Sequence, residues 1–400
     1  MQTMRDKVAI IGMGCTPYGD HYDKGTEDLL VEACGEAFED AGVGPRDIQA
    51  AWLGNLGDNT LGGQPLGSAL KLDFIPISRV ENACATGGDA FRNAAGFVAG
   101  GLFDMVLVAG VTHGEGAEAG PRNGYALGGP PGTYRHGQNA TYSGAPASTF
   151  STFATRYAHR YGLSFEQLKQ GLGAIAIKNY HNGAMNPKAW LHKEITFDQY
   201  MNAPWIAWPL GLHDCCAMPD GAAAAIITTP EIAQGLRSDY VLLRGLGMSV
   251  GNMDGRLNPQ YDWVHFPENV RAGQVAYQMA GIADPLHELD LACIHDAFTV
   301  VELCVYEDLA WAPRGKGGDL ARSGVFDLEG ELAVNPNGGL KSFGHGGGSS
   351  GIHKLYEVYK QLQGKCGPRQ VKNASVGLTH DQGGLPGIYT TVINILSTRD

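Results

Sequence analysis

Charge is scarce in this sequence: Asp, Glu, Lys and Arg make up only 18% of its 400 residues, against about 25% in ordinary soluble chains. The formal net charge is -12 and no basic run occurs anywhere. Clustered Lys and Arg are what nonspecific nucleic-acid and anionic-membrane binding require, so both functions are excluded. The eight cysteines are Cys15, Cys34, Cys84, Cys215, Cys216, Cys293, Cys304 and Cys366, and none falls in a C-x-x-C or similar ligand spacing. The expectation is a reduced, cytoplasmic protein with no structural zinc of its own. No stretch approaches the ~20 apolar residues that cross a bilayer. The apolar run from Val8 to Met13 is too short for a signal-peptide core and has no cleavage site, so a soluble protein is expected. Gly12-x-Gly14 lacks the third glycine that would open a helix in a dinucleotide fingerprint.

Glycine, by contrast, is abundant at 58 residues, where about 7% is usual. Tight turns, close backbone approaches and extensive buried surface follow, an oligomer interface among the uses for that surface. The length suffices for two or three domains or one large two-lobed unit. Strand patterns alternate with helix patterns: a buried strand over 7–14, a helix over 27–42, short strands at 50–54 and 74–80, and a strand over 103–110. That alternation predicts an α/β layered sheet. From His113 to about Asp214 the pattern breaks into loop material at Gly128 to Gly132, helices over 147–161 and 165–182, and Trp190, Trp205 and Trp208 in irregular surroundings. Such an insertion on a regular sheet reads as a lid or substrate-binding subdomain. The sheet pattern resumes at 221–229 and starts afresh after residue 235, with a strand over 240–250, a helix over 267–282 and a strand over 289–294. The chain closes with strands over 375–379 and 387–396, separated by His380-Asp381-Gln382-Gly383-Gly384.

The candidate nucleophile is Cys84, in Glu81-Asn82-Ala83-Cys84-Ala85-Thr86-Gly87-Gly88, where a strand pattern gives way to a helix pattern. A helix N-terminus lowers a thiol's pKa and leaves free backbone N–H groups beside it, and small neighbours let a substrate carbonyl approach. The competing reading is a buried, space-filling cysteine. A second small-residue helix opening, Gly344-His345-Gly346-Gly347-Gly348, lies in the second half. Each opening carries one reactive side chain, a weak internal repeat that implies two lobes meeting at a shared site.

Taken together, Asn82 to Gly88, His295-Asp296-Ala297-Phe298, Asn335-Pro336-Asn337-Gly338-Gly339 with Gly344-His345, and His380 to Gly384 resemble the motifs of the thiolase superfamily over nearly the whole chain. Asp214-Cys215-Cys216 followed by Asp220 to Ala225 is similar to the sterol carrier protein x type and its archaeal and bacterial relatives. The resemblance implies a five-layer αβαβα fold of two duplicated halves, 1–235 and 236–400, with a loop domain inserted at about 113–214. It implies Cys84 as the acyl-carrying nucleophile, His345 as its base, and His295 with a water as the hole for the thioester enolate. The N–H of Cys84, with one near Gly383 or Gly384, would hold the tetrahedral intermediate, and Asn337 would help shape the pocket for coenzyme A, the co-substrate.

Claisen chemistry needs these residue types for its own reasons. Attack on a ketone carbon wants a thiolate, which a neighbouring imidazole generates; the departing enolate wants hydrogen-bond donors; and an acid/base group must serve its carbon. Many thiolases use a second cysteine for that last role. Here His380 stands in its region, either as the acid/base or as a hydrogen-bonded structural histidine. Gly346 replaces the usual proline after the histidine. The aromatic insertion, with Tyr125, Tyr134, Tyr142, Phe150, Phe153, Tyr157, Trp205 and Trp208, is either an acyl pocket or the core of the loop domain. The expected substrate is a 3-oxoacyl-CoA, with benzoylsuccinyl-CoA of anaerobic toluene breakdown as one candidate. Expected partners are a second copy, as a homodimer or dimer of dimers, and a small OB-fold zinc-ribbon subunit. The alternatives are a retro-aldol lyase of steroid side-chain CoA esters, against which the presence of Cys84 counts, and a noncatalytic acyl- or lipid-binding scaffold.

Overall fold

A computed structural model describes residues 4–56, 62–114, 146–384 and 387–398. Its strands are β1 (Ala9–Cys15), β2 (Ala50–Asn55), β3 (Ile77–Val80), β4 (Met105–Thr112), β5 (Trp205–Ala207), β6 (Leu210–Gly211) and β7 (Gly221–Thr228). They continue as β8 (Val241–Val250), β9 (Leu291–Cys293), β10 (Ala333–Val334), β11 (Val376–Gly383) and β12 (Thr390–Ser397). The helices are α1 (Thr26–Ala41), α2 (Gln64–Leu70), α3 (Thr86–Ala99), α4 (Pro146–Tyr161), α5 (Phe165–Ala184), α6 (Phe197–Met201) and α7 (Pro230–Leu236). Beyond them come α8 (Asp254–Leu257), α9 (Pro267–Ala280), α10 (Pro285–Glu288), α11 (Thr299–Asp308), α12 (Gly317–Arg322), α13 (Gly339–Ser342) and α14 (Ser350–Leu362).

Apart from the β5–β6 hairpin, the strands form one sheet in the order β10-β9-β11-β12-β8-β1-β7-β4-β2-β3. Counted outward from the centre, the two sides have the same plan. On one side β1 pairs antiparallel with β7, β7 antiparallel with β4, and β2 lies parallel to both β4 and β3. On the other β8 pairs antiparallel with β12, β12 antiparallel with β11, and β9 lies parallel to both β11 and β10. The duplication that is faint in the sequence is explicit in this topology. In the sheet the two sides join through the pairs Ala9↔Leu242 and Ile10↔Val241, flanked by hydrogen bonds from the Leu243 N–H to the Val8 carbonyl and from the Asp6 N–H to the Leu243 carbonyl, both 2.9 Å.

Helices complete five layers. The apolar face of α1, with Leu29, Leu30, Ala33, Cys34, Ala37 and Phe38 buried, covers β1 and β7, and α9 covers β8 and β12. Between the two half-sheets lie α3, against β2, β4 and β12, and α14, against β7, β1, β11 and β9. This sandwiching explains two sequence features. β7 is a continuous Ala/Ile run because both of its faces are covered, and α14 is buried all round apart from Lys360. The mouths of α3 and α14 cross so closely that a Cβ on Gly87 would lie 3.0 Å from the Gly348 carbonyl oxygen and 3.0 Å from the Gly351 nitrogen. Larger residues there would push the two openings apart.

Two expectations are refined. β11 does not stop at residue 379: His380, Asp381, Gln382 and Gly383 pair with Ile393, Val392, Thr391 and Thr390, so the polar block is strand and not turn. In the insertion, Phe150 stacks on Phe298 with centroids 4.5 Å apart, Phe153 packs on Phe266 at 4.6 Å, and Tyr157 donates to Glu307. These three are core, whereas Trp205 and Trp208 are largely exposed and gather around Phe165. Tyr125, Tyr134, Tyr142 and Gly128 to Gly132 lie outside the described residues.

Candidate active site

Cys84 occupies a tight turn between β3 and α3, one residue before the helix N-cap, Ala85. Ala83 takes a left-handed φ of 49°. The Ala85 N–H donates to the Asn82 carbonyl at 3.0 Å, and that of Thr86 to the Ala83 carbonyl at 3.1 Å. The Thr86 hydroxyl accepts from the Asn82 N–H at 2.9 Å and donates to the Ala83 carbonyl at 2.5 Å, closing the turn from inside. The Asn82 amide is tied to Asp89 at 2.6 Å. Cys84 is thus held at 9% exposure.

The end of β11 presses on this turn. A Cβ on Gly383 would lie 2.5 Å from the Cys84 nitrogen and 2.6 Å from the Ala85 nitrogen, so only glycine fits, and the backbones of Cys84 and Gly383 border one small space. Gly384 follows as the first residue past the strand.

His345 lies in the loop that opens α14, with its N–H on the Ala217 carbonyl at 2.8 Å. Its Nδ1 is 2.9 Å from the Ser350 Oγ, and that hydroxyl gives its own hydrogen to the Gly346 carbonyl at 2.7 Å. Ser350 therefore accepts from His345, the ring hydrogen is on Nδ1, and Nε2 carries a lone pair that no hydrogen bond engages among the described residues. Burial, reinforced by the Lys354 ammonium, pushes this imidazole down to about 3, so it is neutral across the ordinary pH range.

His295 follows β9 and faces His345 edge to face, with ring centroids 5.3 Å apart. It is buried and held well below the usual histidine range by burial first, then by Lys354, His345 and His380. Its Nδ1 has no partner among the described residues. The block Asp214 to Ala217 links the two histidine loops: the Cys216 N–H donates to the Ala297 carbonyl at 2.8 Å, and the Ala217 carbonyl takes the His345 N–H. The Cys216 thiol is pushed up by burial, against the pull of Lys341, with Cys215, Cys84 and Asp296 raising it further.

Asn337 is fully buried: its side-chain oxygen accepts the Gly339 N–H at 3.0 Å, and its carbonyl accepts from Asn186 at 3.0 Å. The turn it braces supplies the Leu340 N–H to Asp296 at 2.5 Å. Burial, with Glu302 nearby, raises Asp296 to about 6. Asn337 braces the turn under the His295 loop, and its Nδ2 has no hydrogen-bond partner among the described residues.

His380 lies in the middle of β11, fully buried, and both ring nitrogens are engaged. Nδ1 accepts the backbone N–H of His295 at 3.3 Å, and Nε2 is 3.0 Å from the Asn269 Oδ1. Lys354 donates to the His380 carbonyl at 2.9 Å and to Asp381 at 2.6 Å. Of the residues named from the sequence, His295 lies against His345 and His380, and Cys84 lies against Gly383; the sequence reading missed Ser350, Lys354 and Asn269. Ser350 and Lys354 left a trace as polar residues past His345, Ser350 opening α14 and Lys354 about one turn into it. Asn269 left none.

Comparison with known proteins agrees with this architecture. Residues 8–202 match the family model "Thiolase, N-terminal domain", and residues 253–398 match "Thiolase C-terminal domain-like". The acetyl-CoA acetyltransferase of Methanothermobacter thermautotrophicus is 34% identical, covering 98% of this chain and 100% of its own. Benzoylsuccinyl-CoA thiolase subunit BbsB of Thauera aromatica is 30% identical over 94% of this chain and 95% of its own. A solved structure described as the Ltp2-ChsH2(DUF35) aldolase superposes with a TM-score of 0.83 over 99% of both chains at 24% identity, a likeness of fold. The chain belongs to the thiolase family.

Proposed function

We propose that this acyltransferase cleaves a 3-oxoacyl-CoA, or runs the reverse Claisen condensation, by carrying the acyl group as a thioester on Cys84. The observation that carries the reading is the imidazole of His345, fixed with a free Nε2, at the crossing of the two helix mouths where Cys84 stands against Gly383. His345 takes the Cys84 proton and the thiolate adds to the substrate's C3 carbonyl. The alkoxide so formed is held by the Cys84 N–H together with an N–H near Gly383 or Gly384. Breaking the C2–C3 bond restores the carbonyl as the acyl-Cys84 thioester and leaves its electron pair on C2 as a thioester enolate, which His295 holds with a water. One proton enters C2 as one has left Cys84, so the CoA ester that holds C1 and C2 departs while the shortened acyl group stays on Cys84. The thiol of a second CoA then attacks acyl-Cys84, and its proton returns to the cysteine.

Likeness to an acetyl-CoA acetyltransferase over both full lengths supports an acetyl fragment, and likeness to BbsB supports benzoylsuccinyl-CoA as an aromatic candidate. A small OB-fold zinc-ribbon subunit is the proposed partner. The description of the Ltp2-ChsH2(DUF35) complex supports it, as does the net charge of -12, which leaves much of the charge that neutralises anionic CoA to another chain. The working units are 1–235, with its loop domain at about 113–214, and 236–400, assembled as a homodimer or dimer of dimers in the cytoplasm. No helix of the described residues is long and apolar enough to cross a membrane.

Intact-protein mass after incubation with acetoacetyl-CoA or benzoylsuccinyl-CoA tests the reading. An adduct equal to the acyl fragment, discharged by free CoA and absent from Cys84→Ser, is expected. Cleavage without an adduct would move the protein to the lyase reading, and binding with neither would make it a scaffold.

A further inference from the structure

We propose that His380 is a positioning residue: locked as its Nε2–H tautomer by Asn269, it holds the His295 peptide in place and exchanges no proton with the substrate. The inference rests on the acyl-Cys84 reading and concerns what fixes its enolate-binding histidine.

The hydrogen bonds settle where each hydrogen is. A backbone N–H can only donate, so the His380 Nδ1 that receives the His295 N–H at 3.3 Å bears a lone pair. The ring hydrogen of the neutral imidazole is then on Nε2, donating to the Asn269 Oδ1 at 3.0 Å. Asn269 cannot turn over to reverse this. Its Oδ1 also accepts the Thr391 hydroxyl at 2.7 Å, while its amide nitrogen donates to the Asp308 Oδ2 at 3.2 Å and the Gln382 Oε1 at 3.1 Å. Asp308 is anchored in turn by the Phe266 N–H at 3.0 Å and by Arg314. Every side chain in this set except Arg314 is buried.

Protonating His380 would set an N–H against the His295 N–H, and deprotonating Nε2 would set a lone pair against the Asn269 oxygen. Both states of a working acid/base are blocked on geometric grounds. What the ring does instead follows from its place in the chain. β9 ends at Cys293, and beyond that point the sheet no longer supplies partners for the N–H groups leading into His295. Two side chains replace it: the Asn335 Oδ1 accepts the Ile294 N–H at 2.8 Å, and the His380 Nδ1 accepts that of His295. Successive peptides are thereby held by successive buried acceptors, and the His295 ring leaves them toward His345.

The test uses the full-length protein, with whatever partner co-purifies, and three variants. His380→Gln keeps an acceptor and a donor but has no titrating group; His380→Ala and Asn269→Leu remove the bridge. Exchange of labelled CoA into acetyl-CoA reports acyl-Cys84 formation without C2 chemistry, and deuterium uptake at C2 of acetyl-CoA reports the enolate step. The expected result is C2 exchange within about tenfold of wild type in His380→Gln, with unmoved pH limbs. His380→Ala and Asn269→Leu should each lose about a hundredfold, and the double variant no more than either alone. A loss of about a thousandfold or more in His380→Gln, equal to that of His380→Ala while CoA exchange survives in both, would overturn the proposal and make His380 the acid/base. Absence of CoA exchange in the wild type would instead remove the acyl-Cys84 reading itself. If His380→Ala fails to fold, the comparison of His380→Gln with Asn269→Leu carries the decision.

Discussion

His345 and His380 are the same side chain in nearly the same setting: both buried, both kept neutral, both depressed by burial and by the one Lys354 ammonium. They differ in which nitrogen carries the hydrogen and in what the other nitrogen meets. At the mouth of α14 the Ser350 hydroxyl occupies Nδ1 and leaves Nε2 open. In the middle of β11 a backbone N–H occupies Nδ1 and an asparagine oxygen occupies Nε2. Burial and a lowered pKa mark both rings alike, so neither property separates a candidate base from a structural histidine; the engagement of Nε2 does.

The contrast can be broken at its reactive end. Removing the proposed base, His345→Ala, should lower kcat/KM by about 10²- to 10⁴-fold, the range for a lost general base, as measured by steady-state thiolysis. His295→Ala should cost about 10²- to 10³-fold, as the loss of an oxyanion donor does, and chiefly in C2 exchange rather than CoA exchange. Ser350→Ala leaves the His345 ring but frees its tautomer; a drop of about tenfold is expected, partly restored by Ser350→Thr, which keeps the hydroxyl.

Two pH measurements sharpen the contrast without removing a reactive group. With His345 at about 3 in the folded protein, its base form is complete throughout neutral and mildly acidic pH. The acid limb of kcat/KM should therefore show no break near the ordinary histidine value of about 6.5; a break there that vanished in His345→Ala would refute the assignment. The smallest effect concerns stability. His380 has a folded pKa below its unfolded one, so between those values the unfolded chain binds more protons and stability falls as pH falls. The slope is at most about 1.4 kcal/mol per pH unit for one histidine. Urea unfolding at pH 7 and pH 5 should therefore find His380→Gln less acid-sensitive than wild type, by about 1 kcal/mol or more over the interval.

Much of this site was legible in the sequence, and the reason is local. Cys84 and His345 sit at helix mouths made of small residues, and His295 directly follows a strand, so each announces itself by its own neighbours. His380 was legible as a residue with two open roles, acid/base or structural, because the block around it looks like a turn until β12 is seen to pair with it through Gly383. Asn269 was not legible at all: it reaches His380 from a helix 111 residues away, and nothing in Phe266-Pro267-Glu268-Asn269 signals a buried amide. The fold follows the same division. Individual strands are visible as apolar runs, whereas the shared strand order of the two half-sheets exists only once they are assembled.

The crossing of α3 and α14 has a further meaning when the two halves are laid over each other. Cys84 stands three residues before Gly87, and His345 three residues before Gly348, the two glycines whose backbones touch. The two residues approach this contact from opposite halves but not from matching positions: Thr86 opens α3 two residues after Cys84, whereas Ser350 opens α14 five residues after His345. A doubled domain would ordinarily possess two equivalent sites on opposite sides of its symmetry axis. Here the two helix openings meet, Gly87 against Gly348 and Gly351, so the duplicated halves border one shared place rather than two separate ones, and each brings a different side chain toward it.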